Sequence, residues 1–397
     1  MKATRRQVLA GGLAAAAAAA TPGLGRAAAA RLIAAPGEAG LVTPDGPATR
    51  AWLYNGTAPG PVLRARQGDV LTVAFENRLP EPSTVHWHGL RVPVGMDGAP
   101  GLSQPPVAPG ESFTYVLPLE DAGTFWYHPH VNSSEQVGRG LHGVLVVEEP
   151  PEIAARLGAD RELIWAIDDW RLTDAAQIAP FGAFHDASHG GRIGNVLTVN
   201  GTYLTRTELR AGERIRLRLA NVANAQTFRL RFAPLEPWLV ALDGHPVAPR
   251  RLGEDGLWLG AGQRADLVLD VALAPGATAK VIDDAYGADN AYEVMTLAVS
   301  DAPARRAEPP PPPRALAANP IRTPDLSAAR THRLAFEGGA MGGLRGAMMD
   351  GRYMEMRALA QAGKLWATNG AVASDMYAAT PWIRAALGET QVVALEN

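Results

Sequence analysis

The sequence predicts an all-β protein built from tandem β-sandwiches, and three observations carry that expectation. Gly (42) and Pro (32) are plentiful among 397 residues, which favours short strands and tight turns over helical bundles. Apolar residues alternate in short runs bounded by Gly, Pro and Asn, the pattern of half-buried strands. One strand pattern also recurs in register at Gly68–Asn77, Gly212–Asn221 and Gly388–Asn397. Each copy opens on Gly plus an acid, runs through β-type residues, and closes on Asn. Each is preceded by an Asn-Gly turn, at Asn55-Gly56, Asn200-Gly201 and Asn369-Gly370. The copies stand about 150 residues apart, a domain length rather than a solenoid period.

The elements follow in order. Lys2, Arg5 and Arg6 precede the apolar run Val8–Ala20, whose 13 residues are too few to span a bilayer, and small residues follow at Ala27–Ala30. Residues 1–30 therefore read as a leader of twin-arginine type, which predicts an exported, periplasmic protein with no membrane segment after processing. The first sandwich is expected over 31–150 and the second over 151–303. An extended Pro-rich linker covers 304–320, around Glu308 to Pro313, and a partial third sandwich covers 321–397. The third copy of the repeat stops at Asn397, so the chain reads as a fragment of a longer protein. Net charge is −3 without a long basic run, which argues against nucleic acid and anionic membranes as partners. With no cysteine, the chain has no disulfide, thiolate metal ligand or thiol nucleophile.

The chemistry lies in His86-Trp87-His88-Gly89 and His128-Pro129-His130. Residues two apart on a strand share a face, so each His-x-His sets two imidazoles about 6.6 Å apart along the chain. Two such pairs side by side make a plate of four imidazoles wide enough for more than one metal ion, and neutral imidazole suits copper, zinc, iron and nickel. Trp87 points the opposite way, into the core. A zinc hydrolase would add acidic or cysteine ligands. The spacing of Glu135, Gly123 and Gly143 misses the cupin pattern.

On these motifs the chain resembles the multicopper oxidases. The resemblance extends through Asp168-Asp169-Trp170, Val199-Asn200-Gly201 and Gly262-Gln263-Arg264-Ala265-Asp266, over nearly all of residues 40–397. It implies cupredoxin-like Greek-key sandwiches, the third incomplete, and copper as cofactor. His86 would ligate a type 2 copper, and His88, His128 and His130 a type 3 pair. The remaining cluster ligands and a cysteine-ligated type 1 copper would lie in a C-terminal part absent here. The activity implied is one-electron oxidation of a small reductant, whether Cu(I), a phenol or another metal ion, coupled to reduction of O2 to water. With half the cluster ligands and no cysteine, the chain as it stands is expected to be inactive. Two alternatives stay open: a periplasmic copper-binding or copper-tolerance protein, and a non-catalytic structural relative.

Secondary signals follow. Asp97, in Gly95-Met-Asp-Gly98, reads either as a proton relay near the cluster or as a plain Asp-Gly turn. Met341, Met348, Met349, Met354, Met356 and Met376 read as a copper-binding flap or as flexible packing. His142 is expected at the rim of the site, and His185 and His189 in a mobile Gly-rich loop, able to chelate only if helical. His245 and His332 are expected to be structural or exposed.

Overall fold

The computed structural model describes residues 27–42, 46–374 and 381–397. Residues 1–26, most of the expected leader, and Met376 lie outside them. The first unit contains β1 (Ala27–Ala39), β2 (Thr49–Tyr54), β3 (Leu63–Arg66), β4 (Val70–Asn77), β5 (His86–His88), β6 (Ser112–Pro118), β7 (Gly123–His128) and β8 (Gly143–Glu148). They form two sheets, β2-β1-β4-β6 and β3-β8-β7-β5. Ala27–Ala30, expected at the leader's processing point, are paired in parallel with Val70–Val73.

The second unit contains β9 (Arg161–Trp170), β10 (Val196–Val199), β11 (Thr205–Leu209), β12 (Arg214–Asn221), β13 (Phe228–Arg231), β14 (Trp238–Leu242), β15 (His245–Arg251), β16 (Leu257–Leu259), β17 (Arg264–Asp270), β18 (Thr278–Asp283) and β19 (Tyr292–Val299). Its sheets, β10-β9-β12-β17-β14-β15 and β11-β19-β18-β13-β16, repeat the first unit's order with strands added at the edges. In the third unit β20 (Arg330–Gly338), β21 (Gly346–Met349), β22 (Arg352–Glu355), β23 (Trp366–Thr368), β24 (Ala371–Val372) and β25 (Gln391–Glu396) form the sheet β22-β21-β24-β23-β20-β25.

The repeat seen in the sequence is a repeat of hydrogen bonds. Asn55, Asn200 and Asn369 all adopt positive φ, near 50°, which Asn tolerates better than most residues. Each turns its carboxamide onto the unit's first strand. Its Oδ1 accepts from the amide of Ile33, Ala166 or Ala335, and its Nδ2 donates to the carbonyl of Arg31, Ile164 or Arg333. The strand after each turn then pairs in parallel with that first strand, as β1·β4, β9·β12 and β20·β25. Asn77 and Asn221 close their strands alike, each donating to one carbonyl of the loop just beyond (Glu81 or Gln226) and to one of a more distant segment (Val107 or Leu259).

Two cores fill the first two sandwiches. Trp87, Tyr115, Phe125 and Tyr127 are wholly buried in the first, and Ile215, Leu217, Leu219 and Phe228 lie in the second. β12 reads Arg-Ile-Arg-Leu-Arg-Leu, which alternation would leave with one solvated face, yet all eight residues are buried. The first unit and acids of the second unit together cover that face. Arg216 pairs with Glu149 and Asp266, and Arg218 bonds Asp266, Glu162 and the Thr124 hydroxyl. The Pro-rich segment is no loose spacer: Leu316 is buried beside Leu157, Val240 and Val268, and Asn319 bonds Ala122 of one unit and Gly244 of the next.

Candidate metal centre

β5 and β7 are antiparallel neighbours, and their register sets His86 opposite His128 and His88 opposite Trp126. Trp87 and Tyr127 occupy the rung between and point into the core. The strand pleat thus turns the histidines outward together, as the spacing predicts. His130 lies just past the strand end, its ring centroid 4.3 Å from that of His86. The four imidazoles share one cleft of about 440 Å³, walled by Trp126, Ser133, Ser134 and Val137, and across the seam by Ala223, Asn224, Ala261 and Gly262.

The donor set fits a metal. One ring nitrogen from each of His86, His88 and His128 lies within 4.8 Å of the others. His88 Nδ1 and His128 Nε2 stand 3.3 Å apart. Two neutral imidazole lone pairs at that distance need a shared proton or cation between them. The opposite nitrogens are engaged elsewhere. His86 Nδ1 is 2.8 Å from the Asp97 carbonyl and His128 Nδ1 is 3.0 Å from the Pro129 carbonyl, so both donate N–H and leave Nε2 free. Carbonyl partners of this kind fix the tautomer of metal-ligating histidines. Burial, then the Arg264 cation and the neighbouring imidazoles, push His88 down to about 3. Burial first and the neighbouring rings next hold His128 well below the usual histidine range, and burial followed by His86 lowers His130. These rings keep their lone pairs available in acid.

Gly89 has φ of +87°, and a Cβ there would sit 2.1 Å from the Arg264 guanidinium. Arg264 reaches across the seam, donating to the carbonyls of Thr124, Gly262 and Asp243. Gly262, at φ +80°, lies against the His88 ring, where a Cβ would meet Cε1 at 3.1 Å. Asp266 completes the same stretch in the buried arginine network. The phrase Gly262–Asp266 is therefore the second unit's brace on the first unit's histidines, a role that its composition did not disclose.

Asp97 lies in a turn beside the cleft. It ends a one-turn 3-10 helix, and Gly98 must be glycine, because a Cβ there would strike the Val85 carbonyl at 2.0 Å. Its carboxylate also sits 3.3 Å from His86 Nδ1, with its side chain 36% exposed. His142 is not at the rim. It is 1% exposed, and its Nε2 is 2.9 Å from the Asp168 carboxylate across the seam. His185 and His189 do not sit in an irregular loop; they fall on and just after the helix Phe184–Ser188. Met349 and Met354 pack on a small core with Leu359, whereas Met341 and Met348 are exposed, so the methionines do not gather into one flap among the described residues. His332 bonds Gln391 and His245 lies near Asn319, both as structural residues.

Comparison with known proteins gives a consistent result. Family models described as multicopper oxidase match residues 38–152 and 162–296. Multicopper oxidase MmcO of Mycobacterium tuberculosis is 33% identical over 65% of this chain and 54% of its own length. Laccase-1 of Thanatephorus cucumeris is 33% identical over 59% and 43%, and copper resistance protein A of Escherichia coli 30% over 52% and 40%. The chain spans about half the length of the curated relatives it matches. Among solved structures, a multi-copper oxidase from Pseudomonas thermotolerans superposes with TM-score 0.69 at 44% identity, covering 79% of this chain and 72% of the other. Lac15 from a marine microbial metagenome gives 0.65 at 38%, covering 77% and 75%.

Proposed function

The chain belongs to the multicopper oxidase family, and from that membership we propose that its four clustered histidines hold copper and that the whole protein couples one-electron oxidation of a small reductant to reduction of O2 to water. Copper is the family's cofactor. The observation that supports its placement in this cleft is the convergence of four imidazoles, three of them held neutral by burial and two oriented by backbone carbonyls. When bound, copper supplies one-electron redox chemistry and the means to reduce O2. His86 is assigned to a type 2 ion, and His88, His128 and His130 to a type 3 pair. Asp97 is assigned the proton supply that water formation requires: its half-exposed carboxylate faces solvent on one side and His86 on the other. The 397 residues contain no cysteine, so a thiolate-ligated type 1 copper has no ligand within them. The reductant is assigned to the class of Cu(I), a phenol or another metal ion, in keeping with relatives named laccase and copper resistance protein. A twin-arginine leader in residues 1–30 would export the protein to the periplasm.

Two measurements test this reading. Metal analysis of the chain refolded or expressed with copper should find the cleft's share of copper lost in His86→Gln and His128→Gln. Oxygen uptake should then follow addition of Cu(I) or a phenol to the whole protein as its host makes it. Tight copper binding with no oxygen uptake by that protein would instead favour the copper-tolerance alternative, and preferential retention of zinc would remove the copper assignment.

A further inference from the structure

A second cluster of metal-binding side chains lies away from the cleft, and we infer that His185 and His189 chelate one divalent copper ion on the surface of the second unit. This is independent of the oxidase reading. The two residues are one helical turn apart, on and just beyond the helix Phe184–Ser188. Their rings face each other with centroids 4.1 Å apart and planes inclined by 26°. Two ring nitrogens that share one ion at about 2.0 Å each must stand about 3 Å apart, and the two rings, exposed and already in contact, reach that by turning from the stacked arrangement until their nitrogen edges converge. A pair of histidines at i and i+4 is a recurrent bidentate site for this reason. Among divalent ions, copper binds such nitrogen donors most strongly.

The pair is also prepared for a metal. His189 Nδ1 lies 2.9 Å from the hydroxyl of the buried Ser188, and that hydroxyl is directed at the His185 carbonyl, 3.5 Å away. Ser188 Oγ is then the acceptor, Nδ1 carries the proton, and Nε2 on the far side of the exposed ring keeps its lone pair. An oriented second nitrogen of this kind marks metal-ligating histidines generally. The short helix is fixed rather than adrift. Asp186 takes two hydrogen bonds from Arg171, Trp366 donates its indole N–H to the Ala187 carbonyl, and the Ala340 amide donates to the Ser188 carbonyl. The third unit thus holds the turn that presents both imidazoles, so little ordering is left for the ion to impose.

Titration of the purified chain with Cu2+ alone tests the site, read by electron paramagnetic resonance and by metal content after gel filtration. The unsubstituted chain should bind one more Cu2+ than H185Q or H189Q, with nitrogen hyperfine from two imidazoles in the signal that those variants lose. Ser188→Ala should weaken that ion roughly tenfold, the size of effect that loss of an orienting partner produces. H128Q, altered in the cleft, should retain the surface signal, which separates failure here from failure of the cleft assignment. Both histidines are exposed, so circular dichroism should show H185Q and H189Q folded. Equal Cu2+ stoichiometry in the unsubstituted chain, H185Q and H189Q overturns the inference, and so does loss in only one of the two single variants.

Discussion

The first and second units share a frame and differ in what they hang on it. Both place a strand after the closing Asn and pair it with the second sheet: β5 with β7 in one, β13 with β18 in the other. In the first unit that rung carries His86 and His128. In the second it carries Leu230 opposite Asp283, flanked by Arg229 and Arg231 on the Asp284 carboxylate. An ion pair there is satisfied internally and needs no metal. The first unit leaves four imidazoles facing a cleft, with their remaining partners to be found. The second spends its polar residues on the seam, where Arg216, Arg218, Arg264 and Asp266 grip the first. The difference teaches a division of labour on one scaffold: one copy holds the donor atoms, and the other holds that copy in place.

The largest expected effect strikes the brace. Asp266 is fully buried and bonds Arg216, Arg218 and Thr124. Asp266→Ala leaves two buried guanidiniums short of an anion and should cost about 3–5 kcal/mol, read as a fall in the denaturant midpoint. His130→Ala, at the cleft surface, should change metal-free stability by less than about 1 kcal/mol. Comparable losses from both substitutions would break the division between holding and bracing.

The sequence carried the frame plainly because the frame is local. Asn-Gly turns and Gly-acid strand starts require particular residues at particular φ, so Asn55, Asn200 and Asn369 announce equivalent positions without reference to anything distant. The His-x-His pairs were equally legible, since strand pleat alone puts the two rings on one face. What stayed hidden was set by partners far along the chain. Arg216 and Arg218 alternate like a solvated face, and only the arrival of Glu149 and Thr124 buries them. His142 follows the second pair by twelve positions and reads as rim, but Asp168 draws it into the seam. His185 and His189 sit on and just past a helix of five residues between glycines, too short for any periodicity to show.

Opposite pH responses in the two units sharpen the comparison further. His88 is held down to about 3, so between pH 3 and its unfolded value near 6.5 the unfolded chain binds the extra proton. Metal-free stability should therefore rise with pH across that window. Asp169 in the second unit runs the other way. Burial first and the neighbouring Asp168 next push it up to about 7, against an amide donated by Gly194. Between about pH 4 and 7 the folded state binds the extra proton, so this contribution is greatest in acid and is lost as pH rises through 7. Asp169→Asn should abolish that alkaline loss and stabilise the chain at pH 8 by about 2 kcal/mol relative to its effect at pH 4. Thermal or denaturant melts of both proteins across pH 4–8 check it, and parallel curves would contradict the assignment.

The smallest effect on stability asks whether the second unit acts on the first unit's donors at all. Gly262 belongs to β17's approach, and what it offers His88 is only an absent side chain. In Gly262→Ala the new Cβ at 3.1 Å from Cε1 must turn the ring, and the residue must also hold φ near +80°. The backbone term costs about 1 kcal/mol. The ring's displacement should lower copper affinity of the cleft by about tenfold, the scale seen when a ligand loses its orientation. Gly256→Ala, also at positive φ but set against the Leu230 carbonyl in the second unit, controls for backbone strain. If both substitutions destabilise the chain and only Gly262→Ala weakens copper, the brace sets the donors. If copper affinity is unchanged in both, the second unit supports the first without tuning it.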